Sequence, residues 1–120
     1  HTARLSRLDR AIERVRAVAP PLRAGDALDL LPEVLAAVPE DVLLCLYHTF
    51  TINQFSHEAR DRLDALLRAH GARRDLCCIS ISGVGAVQPE LRLLTYRRGH
   101  QEERLLAHCE PHGEWLAWLD

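Results

Sequence analysis

The sequence contains no lysine; all fifteen basic residues are arginine, and against seventeen acidic residues the formal net charge is −2. No global positive field draws nucleic acid or an anionic membrane, and neither is expected as a dedicated partner. Long apolar runs are missing as well. None approaches the ~20 residues of a membrane-spanning helix, and no charged-then-apolar leader opens the chain, so the expected location is cytoplasmic. Paired Cys-x-x-Cys spacing is absent. Cys45, Cys77, Cys78 and Cys109 stand in mostly apolar surroundings, and the adjacent Cys77 and Cys78 cannot close an ordinary disulfide with each other. Buried reduced thiols are therefore expected, and no metal centre. A Gly-x-Ser-x-Gly elbow and a carboxylate dyad are also lacking, which leaves hydrolysis without support.

What is present is a strongly apolar stretch, Val42-Leu43-Leu44-Cys45-Leu46-Tyr47, followed by His48-Thr49-Phe50 and preceded by the turn-prone Pro39-Glu40-Asp41. Unbroken apolarity predicts a strand buried on both faces, as in a parallel sheet covered by helices. Ahead of it, Leu5, Leu8, Ile12 and Val15 at helical spacing predict a helix capped by Thr2 and ended by Pro20-Pro21. Its arginines alternate with Asp9 and Glu13, so they read as a solvated face rather than a phosphate site. Leu22-Arg23-Ala24 reads as a short strand, Gly25 to Asp29 as a turn with two candidate caps, and Leu30, Leu31, Val34, Leu35 and Val38 as an amphipathic helix.

Beyond Phe50, residues 51–55 are expected to loop over the strand end. Ser56 then caps a helix whose stripe is Ala59, Leu63, Leu66 and Leu67, with surface pairs Glu58/Arg62 and Arg60/Asp64 and Gly71 as its left-handed stop. Leu76 to Ser82 reads as a second internal strand, Gly83-Val84-Gly85 as a turn, and Leu91–Tyr96 with Arg104–Cys109 as a hairpin. Trp115 and Trp118 fall on one side of a short terminal helix. The order predicts an α/β fold in one domain, residues 1–120: a partial Rossmann-like sheet, parallel strands with flanking helices, and a C-terminal antiparallel hairpin. Opening at His1-Thr2-Ala3 directly on a helical pattern, the chain is expected to be a fragment of a larger protein.

That order, with Gly25-Asp26-Ala27 after the first strand, resembles the second half of a class I S-adenosylmethionine-dependent methyltransferase fold. More closely, Gly25 to Pro32, the strand end Tyr47-His48-Thr49, and the tail Pro111-His112-Gly113-Glu114-Trp115 resemble the C-terminal part of a bacterial domain-of-unknown-function family. The resemblance covers essentially the whole chain and rests on the order and spacing of short motifs. It implies S-adenosylmethionine as cofactor, with Asp26 and Ala27 as cofactor-binding residues: the Asp26 carboxylate accepts from an adenine amino group and the Ala27 N–H meets a ring nitrogen. Asp26 as a plain helix cap is the other reading. The glycine-rich loop and the acidic ribose-binding residue of the methyltransferase pattern are not in this chain, and Gly83-Val84-Gly85 does not lead into a helix. The implied cofactor site is therefore incomplete, and the chain by itself is expected to bind the cofactor weakly or not at all.

His48, at a strand end, is a candidate general base, although a lone histidine there also serves as hydrogen-bonded structure. Thr49 and Asn53 either orient a polar substrate or close local backbone hydrogen bonds. The Asn/Asp-Pro-Pro-Tyr/Phe signature of amino-methylating enzymes is missing after Tyr47, so the small-molecule substrate stays open. His108, Cys109 and His112 do not make a metal site on their spacing, because neighbours in a strand point to opposite faces. The tryptophans either anchor the tail or line a pocket or partner surface. The two strands that the methyltransferase pattern places between the strand at Leu22 and the strand at Val42 are missing from this chain; either the sheet closes up differently, or a second copy pairs with the exposed strand edge to make a homo-oligomer. Two functions are thus open: the C-terminal half of a methyltransferase, or a non-catalytic binding or structural module on the same scaffold.

Overall fold

The computed structural model describes residues 2–119. Among these are helices α1 (Thr2–Ala17), α2 (Ala27–Ala36) and α3 (His57–Gly71), and strands β1 (Leu44–Thr49), β2 (Leu76–Ser82), β3 (Glu90–Arg97), β4 (His100–Cys109) and β5 (Leu116–Trp118). A single 3₁₀ turn, Thr51–Gln54, follows β1. The strands form one sheet in the order β1-β2-β3-β4-β5. Only β1 and β2 run parallel, connected through α3; β2 to β5 make an antiparallel meander.

The fold is thus mixed α/β with a mostly antiparallel sheet. The link between β2 and β3, residues 83–89, explains this. A return to a parallel neighbour needs a crossover of roughly a dozen residues or more, and the shorter link turns the chain straight back. The β3–β4 hairpin is tighter than a four-to-six-residue loop. Arg98 and Gly99 both take positive φ, 52° and 78°, as a two-residue hairpin turn requires, and the Arg98 N–H donates to Asp75 Oδ1 at 2.8 Å.

The core lies between one face of the sheet and helices α2 and α3. Leu44, Leu76 and Tyr96 sit side by side across β1, β2 and β3, with Cys78 one step along, and Leu28, Leu35, Leu63 and Leu67 descend on them. Apolar residues at helical spacing on α2 and α3 make those faces, and Asp26 and Ser56 fix where the helices begin. Asp26 Oδ1 accepts from Leu28 N–H and Asp29 N–H, and Ser56 Oγ accepts from Ala59 N–H.

Several expectations are corrected here. β1 is not buried on both faces: Leu44, Leu46 and His48 point to the helices while Cys45, Tyr47 and Thr49 are exposed. β1 is also the sheet's edge, and Val42 and Leu43 precede it in solvent. Leu22-Arg23-Ala24 forms no strand; Leu22 is 91% exposed, and the preceding Pro20-Pro21 offers no backbone donors for a ladder. The tail is a strand, not a helix, because Trp118, Ala117 and Leu116 pair with Ala107, His108 and Cys109 of β4. Trp115 and Trp118 accordingly stay exposed. Thr2 is already helical, and His1 before it lies outside the described residues.

Gly71 is not a left-handed stop. It is the last residue of α3, fully packed, and a Cβ there would collide with the ring of Tyr96. Its role is close approach of helix to sheet. Of the cysteines, all four are free; Cys78 and Cys109 are buried as expected, but Cys45 is exposed and Cys77 half-buried, facing each other in register on the uncovered side of the sheet. Neither predicted pair on α3 forms. Arg62 instead reaches Asp29 of α2 at 2.7 Å and the Leu28 carbonyl at 3.3 Å, tying the two helices together.

Candidate functional site

The C-terminal end of β1 is where the chemistry collects. The strand delivers Tyr47, His48 and Thr49, and the chain then turns sharply at Phe50, whose φ of 56° puts a bulky aromatic residue in the left-handed region. Such a conformation costs about 1–3 kcal/mol and persists only where surrounding structure imposes it. The imposing contacts are the Phe50 N–H to the Ile81 carbonyl at 2.7 Å and the Asn53 N–H to the Phe50 carbonyl at 3.2 Å, which close the 3₁₀ turn against the end of β2. Arg98, the other non-glycine residue with positive φ, is explained by its hairpin. Phe50 has no such excuse in local turn type.

Three cavities surround this end. The first, about 230 Å³, opens between α2, β1 and the 3₁₀ turn; Leu28, Leu31, Leu46, Ile52 and Phe55 give it apolar walls, and Ala27, Tyr47, His48 and Thr51 its rim. The second, about 170 Å³, lies between α3 and the sheet and is the more polar of these two, with Arg60 and Asp64 from the helix and Ser80, Ser82, Arg92 and Glu103 from the strands set among Ile52, Leu63, Leu67, Cys78 and Leu94. His48, Ile52 and Leu63 form the partition shared by the two. The third is an open groove of about 520 Å³ running from Thr49 and Phe50 to the tail residues Pro111 to Trp115.

His48 is the hinge of this geometry. Its position on the helix-facing side follows from strand alternation with Leu44 and Leu46. Its Nδ1 is buried without a hydrogen-bond partner, and burial lowers the imidazole pKa below its ordinary value. A neutral ring with an unspent nitrogen can accept a proton from, or hydrogen-bond to, a ligand group brought within reach of it. Asp64, also on the polar cavity, has its carboxyl pKa raised, first by desolvation.

Of the residues singled out in the sequence, Ala27 and His48 come together on the apolar cavity. Asp26 stands one residue outside its wall, and its Oδ1 caps α2. Thr49 lines the tail groove. Asn53 lines none of the three cavities; its Nδ2 lies 3.8 Å from where a Cβ on Gly83 would stand. His108 and Cys109 alternate on β4; Cys109 Sγ lies 3.6 Å from the Pro89 carbonyl, and among the described residues no group of three or more His, Cys, Asp or Glu could hold a metal ion. The sequence reading missed Ser80, Ser82, Arg60, Asp64 and Arg92 as neighbours. Serine at every second position of β2 was the available signal, since Cys78, Ser80 and Ser82 share a face.

Residues 1–118 match the family described as an uncharacterized protein conserved in bacteria (DUF2332). The chain belongs to that family. No curated protein and no solved structure matches it. Of the three motifs that carried the resemblance in the sequence of this DUF2332 chain, Ala27 and Tyr47-His48 line the apolar cavity, whereas Thr49 and Pro111-His112-Gly113-Glu114-Trp115 line the tail groove, which shares no residue with it. Within that tail, Glu110 Oε2 accepts from the backbone N–H groups of His112 and Glu114, at 2.7 and 3.2 Å, and holds the turn against the sheet end. No helix among the described residues is long and apolar enough to cross a membrane.

Proposed function

We propose that this DUF2332 protein is a methyltransferase-like enzyme of the S-adenosylmethionine-dependent class, and that this chain supplies the adenine end of the cofactor site together with His48. The observation that carries the reading is the apolar cavity at the C-terminal end of parallel strand β1, with Ala27 and His48 on its rim. Ligands of Rossmann-like sheets lie outside the carboxyl ends of the strands, and the strained Phe50 marks the same end. The fit is partial. About 230 Å³ of mostly apolar space suits a planar base rather than a whole cofactor, which belongs to the roughly 300–1,000 Å³ class of ligand pockets. Leu28, Leu31, Leu46 and Phe55 would sandwich the ring, and the Ala27 N–H, a free donor of the first helical turn, would meet a ring nitrogen. The remaining Asp26 carboxylate oxygen would accept from the exocyclic amino group. The cofactor would bring an electrophilic methyl group; His48, neutral at pH 7, would hold the nucleophile's proton at Nδ1.

Titration with S-adenosylhomocysteine and adenosine, followed by backbone amide shifts, tests this. Saturable shifts at Ala27, Leu28, Leu46, His48 and Phe55 are expected from both, at the weak affinity that half a cofactor site allows. Their absence into the millimolar range, in folded protein, overturns the reading.

A second reading, a non-catalytic module that forms homo-oligomers, is favoured by one observation: β1 is a sheet edge carrying the exposed Tyr47. Sedimentation of a concentrated sample as monomer throughout would remove it.

A further inference from the structure

We propose that the polar cavity between α3 and the sheet is a subsite for a small zwitterion of amino-acid size, which takes its carboxylate on Arg60 and its ammonium on Asp64. Its identification as the substrate side of the site rests on the methyltransferase reading; the binding itself does not.

Two charges on α3 are not spent. Arg60 and Asp64 stand four apart on α3, the spacing at which a helix pairs opposite charges. They form no ion pair with each other or with any other described residue, although Arg23, Arg62 and Arg92 each find a carboxylate. Both line the same cavity instead. Arg92, the cavity's other cation, is already neutralised. Glu90 lies 2.6 Å from it and Glu103 3.3 Å, so Arg92 acts as a wall and not as an anion receptor. One guanidinium and one carboxylate outside any ion pair therefore line about 170 Å³ of space, an arrangement that suits a ligand carrying one charge of each sign.

The floor agrees. Ser80 and Ser82 project from alternate positions of β2 into the cavity, and neither hydroxyl has a hydrogen-bond partner among the described residues. Each offers a donor and an acceptor. His48 closes the inner end, its buried Nδ1 also unpartnered. Cavity size favours a small ligand: the volume lies well below the roughly 300 Å³ at which drug-sized ligands begin. A singly charged ligand leaves either Arg60 or Asp64 facing a partly desolvated cavity alone, which is the costlier arrangement.

The test compares L-alanine with its two halves, propionate and ethylamine, at equal concentrations, read by backbone amide shifts. L-Alanine is expected to give saturable shifts at Ser80 and Ser82, and the two halves much weaker ones. Arg60→Gln and Asp64→Asn, neither of which belongs to the apolar stripe of α3, are each expected to weaken L-alanine about tenfold while leaving the rest of the spectrum in place. Propionate binding as tightly as L-alanine would overturn the proposal in favour of a plain anion site, and so would unsaturable shifts from all three. The adenine reading is scored separately, at Ala27 and Phe55. Adenosine shifts there without L-alanine shifts at Ser80 and Ser82 sink only the zwitterion. The converse keeps the zwitterion and sinks the methyltransferase assignment.

Discussion

Gly71 shows how one residue can be read correctly as special and wrongly as to why. Its place at the end of a helical pattern suggested a turn, whereas the structure uses its missing side chain to seat α3 on the Tyr96 ring. Two effects oppose each other in Gly71→Ala: helix propensity favours alanine by about 1 kcal/mol, and overpacking costs about 1–3 kcal/mol. The collision is with a ring attached to a strand, which cannot swing away, so overpacking wins. Chemical denaturation should show Gly71→Ala destabilised, and Tyr96→Leu in the same chain should recover part of the loss; a stabilised Gly71→Ala would refute the packing account. His48 supports a second expectation. Its pKa is lowered by desolvation, as is that of His70, so the unfolded chain takes up these protons first. Stability should fall as pH drops from the ordinary imidazole value toward the lowered folded ones, and His48→Gln should flatten part of that slope. An unchanged acid limb in His48→Gln would contradict the burial of its ring.

Among the elements, α2 and α3 were legible from their apolar spacing and serine or aspartate caps, and β2 from its apolar run. The 37–43 link was not, because what holds it lies over thirty residues away. Arg74, just beyond α3, donates to the carbonyls of Val38, Pro39 and Val42 at 2.8, 2.8 and 2.7 Å, a fork that lysine could not copy. Arg74→Ala should cost about 2 kcal/mol by denaturant titration, and Arg74→Lys most of the same. Equal stability of Arg74→Lys and the parent chain would show that the three-carbonyl fork is unimportant. The strand expected at Leu22 failed because a strand needs a neighbour, which local sequence does not reveal. Helix α1 is the opposite case. Its pattern was read correctly, yet no residue of it is buried, and Leu5, Leu8 and Val15 are more than half exposed. Removing residues 1–17 should therefore shift the thermal midpoint less than Leu35→Ala, which opens a cavity at a site 2% exposed and costs about 2–5 kcal/mol. A larger loss on removing α1 would contradict its lack of packing.

For the whole molecule, alternation of helices and strands disclosed a mixed α/β domain, but the sheet's directions were set by link lengths. The long β1–β2 connection returns parallel through α3, and the short β2–β3 link forces the antiparallel meander. The site was half legible. Ala27 and His48 could be placed at one strand end from motif order, while Arg60, Asp64, Ser80 and Ser82 meet only because α3 crosses that face of β2. Burial also makes two thiols of β2 reluctant acids: Cys77, helped by the adjacent Cys45, is pushed up to about 11, and Cys78 in the core to about 12. The folded state thus keeps protons that the unfolded chain releases, and stability should decline as pH rises above the ordinary thiol range; Cys78→Ala should decline less steeply from its lower starting point. The most direct measurement on the central claim remains the adenosine titration read residue by residue. Saturable amide shifts centred on Ala27, Leu28, His48 and Phe55 are the predicted result, and shifts that are absent, or scattered away from the C-terminal end of β1, would contradict it.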